Sequence, residues 1–313
     1  MTYRALSRGA AAVFILMAVA LGVPAYAAAP ADDINPDGWV GDGVLKSGKG
    51  YAPTPMGQVH YRDLGPRDTP VPMLLLHMTP LSMIQFAEAQ NAIAARGIRV
   101  IAVDTPGYGM SDPPPQAAPE IAEFADNLVA VLDHLKIRKV VIAGHHTGAC
   151  IATSFAVRHP ERVAGIILHG VPIFNEEEIA VRIHRSLGDR TPQADGSHLS
   201  HYFRPAAPGA PAQTPEYLKA QTWFALSIFQ EGADVGHYAV YRYDMLSDLK
   251  RLKGPGMIIS DRGDAIHPVD LRAAKTRPDF VYREFSDDST LSIMMHPKEW
   301  AALTTDFYHQ IIH

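Results

Sequence analysis

Cysteine, basic charge and long apolar runs are all scarce in this 313-residue chain. Its one cysteine, Cys150, can close no intrachain disulfide, so an oxidising compartment gains nothing from it. Cys150 follows a turn of small residues and opens a helix, which reads as a small buried hydrophobe, with a nucleophilic thiol the alternative. Lys and Arg number 28 against 33 Asp and Glu, a net charge of −5, and no basic surplus exists to attract nucleic acid. One long apolar run stands out, "AAVFILMAVALGV", preceded by Arg4 and Arg8 and followed by Ala25-Tyr26-Ala27. That is the anatomy of a secretory signal peptide over residues 1–27, with an uncleaved anchor as the alternative. The expectation is an exported protein, periplasmic or extracellular, with no stable membrane insertion once the leader is removed. Without Arg4 and Arg8 the charge becomes about −7.

The chain is 47% apolar, enough for one large core with an inserted subdomain. Residues 28–50 are rich in Pro, Gly and Asp and read as an extended lead-in. Beyond them, "PMLLLH" (72–77), "IRVIAVD" (98–104), "KVVIAG" (139–144), "VAGIILHG" (163–170) and "GMIISD" (256–261) are short apolar runs bounded by turn formers. Between them Ile121, Phe124, Ala125, Leu128, Val129, Leu132 and Leu135 recur at helical spacing. Strands buried on both faces and alternating with amphipathic helices predict an α/β fold with a doubly wound, mostly parallel sheet. Functional groups then belong at the carboxyl ends of the strands. The alternation lapses over 172–250, predicted as a helical cap inserted into a core of 51–171 and 251–313. In the cap, Trp223, Phe224, Phe229, Tyr238 and Tyr241 either line an apolar substrate chamber or pack the cap on the core.

The stretch "VVIAGHHTGACIA" runs strand, Gly144-His145-His146-Thr147-Gly148, then helix. In that context the two glycines allow helix and strand to approach closely, and a sharp turn thrusts residue 146 into the cleft. Here the chain resembles the α/β-hydrolase fold superfamily over roughly residues 55–312. "LLLHMTP" resembles its strand and oxyanion loop, with Met78 where glycine is usual. "VIAVDTPGYGMSDPP" resembles its Asp-x-x-Gly-x-Gly-x-Ser segment through Asp104, Gly107, Gly109 and Ser111. "RHPERVAGIILHG" resembles the helix end and strand after the elbow, and "ISDRGDAIHP" the late strand whose end carries the triad acid, at Asp264.

Two positions depart from the superfamily pattern. His146 stands where the nucleophile belongs. The loop due to carry the triad histidine, near Thr290, has none, and no histidine occurs between 268 and 295. An imidazole on the elbow is several atoms longer than a hydroxyl. It could fill the room of both missing partners and reach Asp264 directly, the carboxylate fixing the ring's tautomer and stabilising its charged form. The resemblance assigns oxyanion donors to the N–H groups of Met78 and Thr147. His267, three residues after Asp264, is a further candidate base, as is His296, which more simply marks a helix start before Pro297. His77 and His145 hold places where the superfamily carries structural histidines, and His169 ends a strand at the cleft. Ser82 could touch substrate, whereas Ser111 belongs to a backbone-ordering loop. Glu176-Glu177-Glu178 reads as a solvated first helical turn. A metal suggests itself among so many histidines, but no His-x-x-x-His spacing supports one, and none is predicted. The expected function is cofactor-free hydrolysis of a small, mostly uncharged ester, lactone or related molecule by a His146–Asp264 dyad. The alternatives are a lyase or isomerase using His146 as general base and a non-catalytic small-molecule binder.

Overall fold

The computed structural model describes residues 39–40, 44–45, 48–183, 191–200, 214–230, 232–286 and 290–312. The expected leader, most of the expected lead-in and most of the proline-rich connector of the expected cap lie outside these residues. A short antiparallel pair, β1 (Trp39–Val40) and β2 (Val44–Leu45), precedes the main sheet. The sheet comprises β3 (Lys49–Thr54), β4 (Gly57–Leu64), β5 (Met73–Leu76), β6 (Val100–Val103), β7 (Val140–His145), β8 (Val163–His169), β9 (Gly256–Ser260) and β10 (Val281–Glu284). Its order is β10-β9-β8-β7-β5-β6-β4-β3, with β3, β4 and β6 paired antiparallel and all other neighbours parallel. All five apolar runs form strands. The central ones, β5, β6, β7 and β9, are buried at every residue, as a sheet covered on both faces requires.

The helices on these faces are α1 (Ala87–Ala94), α2 (Ile121–His134), α3 (Thr147–Arg158), α9 (His267–Thr276) and α11 (Pro297–Ile312). The apolar heptad-like series in α2 supplies Ile121, Phe124, Ala125, Leu128 and Leu132 to one core, with α3 and α9 on the same face. On the other face α1 and α11 pack together around Phe86, Ile93, Trp300 and Phe307. Helix α2 begins with a reciprocal capping box between Glu120 and Glu123. Between β8 and β9 lie α4 (Glu176–Ile183), α5 (Ser197–Ser200), α6 (Pro215–Ile228), α7 (Val235–Arg242) and α8 (Met245–Arg251). Helix α7 is clamped onto the loop after β5: a side chain on Gly236 would stand 2.2 Å from Thr79 Oγ1, and its N–H donates to Tyr108 at 2.8 Å. A short helix, α10 (Ser292–Met295), leads into α11. Among the described residues no helix is long and apolar enough to cross a membrane.

Two differences from the sequence reading have physical causes. "KGYAPT" forms β3, whose first two residues fall in the stretch 28–50 read from its Pro, Gly and Asp content as an extended lead-in. The strand is an edge, paired on one side only, where proline is tolerated. "VYRE" forms β10, the opposite edge, and its half-exposed residues give no apolar run to find.

Candidate active site

The elbow is built by two glycines that admit nothing larger. A Cβ on Gly144 would stand 2.1 Å from the carbonyl oxygen of Gly148, and one on Gly148 would stand 2.1 Å from that of Leu76. Between them His146 takes φ 48°, ψ −107°, a left-handed conformation that costs a side-chain-bearing residue about 1–3 kcal/mol. The turn is held by the His146 N–H, which donates to the His169 carbonyl at 2.9 Å. Its imidazole then runs across the end of β8 over Gly170, where a Cβ would fall 2.2 Å from Cδ2 and 2.5 Å from Nε2.

On the far side of that glycine the ring meets Asp264, with Nε2 2.9 Å from Oδ2. Asp264 sits in a tight turn after β9, its Oδ1 accepting the Ile266 N–H at 2.9 Å. The carboxylate is nearly buried, while the His146 side chain keeps 23% of its surface exposed. Burial opposes charge on His146. The charge and hydrogen bond of Asp264, with Asp270 and Asp261 behind it, outweigh that penalty and raise its pKa above the ordinary histidine value. Burial likewise works against the Asp264 anion, but the charge and hydrogen bond of His146 and the Ile266 N–H bring its pKa down to about 2. With Nε2–H given to the carboxylate, Nδ1 is the nitrogen left with a lone pair.

Behind the pair lie two more imidazoles. His145 is fully buried, its ring centroid 4.5 Å from that of His146 and 4.6 Å from that of His169. Burial, then the charges of His146 and His169, push its pKa well down, so it stays neutral. Its Nδ1 is hydrogen-bonded to Gln85 Nε2, and its Nε2 is buried with no partner among the described residues. The strand-end His169 is buried too, fixed between Asp261 Oδ2 at 2.9 Å and the Trp300 indole N–H at 3.1 Å.

The oxyanion assignment requires correction at Met78. Its N–H donates to Gln85 Oε1 at 3.0 Å, because the amide of Gln85 reaches back from the 3₁₀ turn Met83–Phe86 beneath the loop. Thr147 opens α3, and its N–H is among those a helix start leaves without an intrahelical acceptor. His267 is also not beside the pair: as the first residue of α9, its Nδ1 meets Ser260 Oγ at 2.9 Å, and its Nε2 lies 4.0 Å from Glu284. Ser82 N-caps the 3₁₀ turn. Together with Trp223 of α6 it lines a cleft of about 530 Å³ with Arg62, Met83 and Leu226, among whose residues neither His146 nor Asp264 figures. Thr290, in the place of the missing triad histidine, donates to the Met78 sulfur at 3.1 Å. The other sequence candidates are tied structurally. His77 Nε2 accepts the Thr105 N–H at 2.9 Å, Ser111 Oγ donates to the Asp104 carbonyl at 2.7 Å, and Cys150 is buried. His296 is half exposed, 3.7 Å from Glu299.

His145, His146 and Asp264 each offer a ligand atom within 4.8 Å of the others. The donor set nevertheless suits a cation poorly. Gln85 Oε1 is taken by an N–H, so its nitrogen must be what faces His145 Nδ1; the neutral ring then carries its proton on Nε2 and has no lone pair there. Sequence reasoning missed Gln85 and Asp261. Asp261 had a signal, since it closes the strand run "GMIISD" beside the strand of His169. Gln85 had none, because its role exists only once the loop folds over it.

A family model described as alpha/beta hydrolase fold matches residues 71–200. Among curated proteins, Epoxide hydrolase B of Mycobacterium tuberculosis is 36% identical over 117 residues, 37% of this chain and 33% of that protein. The chain thus spans about a third of the length of the first curated relatives it matches. The bifunctional esterase/perhydrolase DCH of Acinetobacter calcoaceticus is 26% identical over 245 residues, 72% of this chain and 86% of that protein. Among solved structures, the enol-lactonase from Burkholderia xenovorans LB400 matches with a TM-score of 0.67 at 20% identity, covering 83% of this chain and 100% of that one. A thermophilic esterase from Thermogutta terrifontis matches at 0.66 and 20% identity, covering 85% and 99%.

Proposed function

We propose that this chain, which belongs to the α/β-hydrolase fold superfamily, is an enzyme whose base is the His146–Asp264 pair rather than a serine-centred triad. Its substrate is a small, mostly uncharged ester, lactone or related molecule, and it needs no cofactor. The observation that carries this reading is the 2.9 Å contact between His146 Nε2 and Asp264 on a strained, partly exposed elbow. Asp264 orients the ring. Nδ1 takes a proton from water as its oxygen attacks the carbonyl carbon, and the imidazolium, stabilised by the carboxylate, returns a proton to the departing oxygen. The carboxylates of Asp264, Asp270 and Asp261 all act on His146, a field that favours an uncharged substrate over an anionic one.

A second reading, proton abstraction from substrate without an acyl-type intermediate, draws support from Met78. With that N–H donated to Gln85, a tetrahedral oxyanion loses one of the two backbone donors the superfamily provides. Turnover of an ester and lactone panel in heavy-oxygen water separates the two. Label in the carboxylic acid product is expected for water attack, and unlabelled product formed at full rate is expected for proton transfer. A wild-type protein that binds members of the panel yet converts none, or a His146→Ala variant with undiminished turnover, would overturn both.

A further inference from the structure

Gln85 is almost wholly buried, and both ends of its amide are spent on groups of the candidate site. Oε1 accepts the Met78 N–H at 3.0 Å, and Nε2 donates to His145 Nδ1. An amide N–H carries one hydrogen and aims it in one direction. While Met78 points at Gln85, it cannot point at an oxygen in the cleft. To release it, Gln85 Oε1 would have to lie buried without a donor, which the interior resists. The same amide dictates the His145 tautomer. With Nδ1 accepting, the proton sits on Nε2, and that N–H is buried beside the ring of His146 without an acceptor among the described residues. One glutamine therefore joins the loop after β5 to the elbow after β7, in the layer directly behind the reacting groups.

We infer that Gln85 is a positioning residue that sets reaction specificity: it withholds the Met78 N–H from substrate, and so selects against reactions that build an oxyanion at that place. The inference rests on the reading of His146 as the base only for its kinetic consequence. The bonding of Gln85 itself is tested independently of any turnover.

The experiment uses the chain with selective ¹⁵N labelling of methionine and histidine. In wild type the Met78 amide exchanges slowly with solvent, and His145 gives the ¹⁵N signature of a neutral ring protonated at Nε2. In Gln85→Leu the Met78 amide exchanges at least ~10-fold faster. Hydrolysis of p-nitrophenyl acetate rises by ~10²-fold or more, the lower end of what one oxyanion donor is worth, and His146→Ala in the same background removes the rise. Should Gln85→Leu fail to fold, Gln85→Glu keeps an acceptor for Met78 and replaces the donor facing His145. The Met78 amide then stays protected, while His145 switches to the tautomer protonated at Nδ1. A Met78 amide that exchanges as fast in wild type as in Gln85→Leu, or a His145 ring protonated at Nδ1 in wild type, would overturn the inference. A slow Met78 amide with no gain in ester hydrolysis would overturn its kinetic half. If His146→Ala leaves wild-type turnover intact while the spectra come out as described, the reading of His146 fails and the bonding of Gln85 stands.

Discussion

Two histidine–carboxylate pairs lie side by side at the carboxyl ends of neighbouring strands, with the same 2.9 Å contact and different fates. In His169–Asp261 both ring nitrogens are satisfied, one by the carboxylate and one by Trp300, and both residues are buried. Its carboxylate is tied down further by Ser292. Such a pair has no lone pair to offer and no route to solvent, so it serves as mortar between β8, β9 and α11. In His146–Asp264 one nitrogen meets the carboxylate, the ring is partly exposed, and the backbone beneath it is strained. The contact distance does not separate structure from chemistry here. What the second nitrogen touches does.

Breaking each pair should therefore damage a different property. The largest expected effect is on turnover. His146→Ala should reduce it by ~10²–10⁴-fold, the usual worth of a general base, measured as kcat/KM on any substrate the panel reveals, with the fold retained by circular dichroism. His169→Ala takes from the buried Asp261 its imidazole partner, leaving it to the Ser292 hydroxyl, and leaves the Trp300 N–H without its acceptor. It should lower unfolding free energy by about 3–5 kcal/mol in urea titration, so equal losses of stability in the two variants would erase the distinction.

A smaller effect sharpens the electrostatics. Because the His146 pKa is raised, its base form appears only as pH rises through a value above the ordinary ~6.5. The rising limb of kcat/KM should lie above that value, and Asp264→Asn should move it lower. The carboxylate gives the stability side with the opposite sign. Asp264, drawn down to about 2, contributes stability that is present above the unfolded carboxyl pKa and is lost as pH falls from there toward 2. That contribution is roughly 2 kcal/mol and describes the same contact as the rise on His146, so the two are not added. Acid unfolding of Asp264→Asn should show a correspondingly flatter slope. The smallest effect is expected for His267→Ala, which loses one hydrogen bond to Ser260 and about 1 kcal/mol. Its rate should change less than about threefold, the limb staying put, as befits a residue outside the proton path.

Most of the fold was legible because buried parallel strands announce themselves as unbroken apolar runs. The edge strands were not, since Pro53 and the half-exposed β10 follow no such rule. In the site, the reach of His146 toward Asp264 was readable from two absences, a missing serine and a missing late histidine. Ring direction, the burial of His169 and the diversion of the Met78 N–H depend on which groups meet after folding. Ser82 stands near the oxyanion loop in sequence and Trp223 is aromatic, but neither property says which cleft a side chain enters, and the one they line includes neither His146 nor Asp264.

Gly170 imposes a restriction on any attempt to convert this site. A methyl group there would sit 2.2 Å from the imidazole, far inside van der Waals contact, and force it aside, taking from Asp264 Oδ2 its hydrogen-bond partner. The histidine at 146 and the bare backbone at 170 therefore form a single unit of inheritance. Replacing the elbow residue with serine alone would leave a hollow above residue 170, open to water, and an acid facing across it toward nothing.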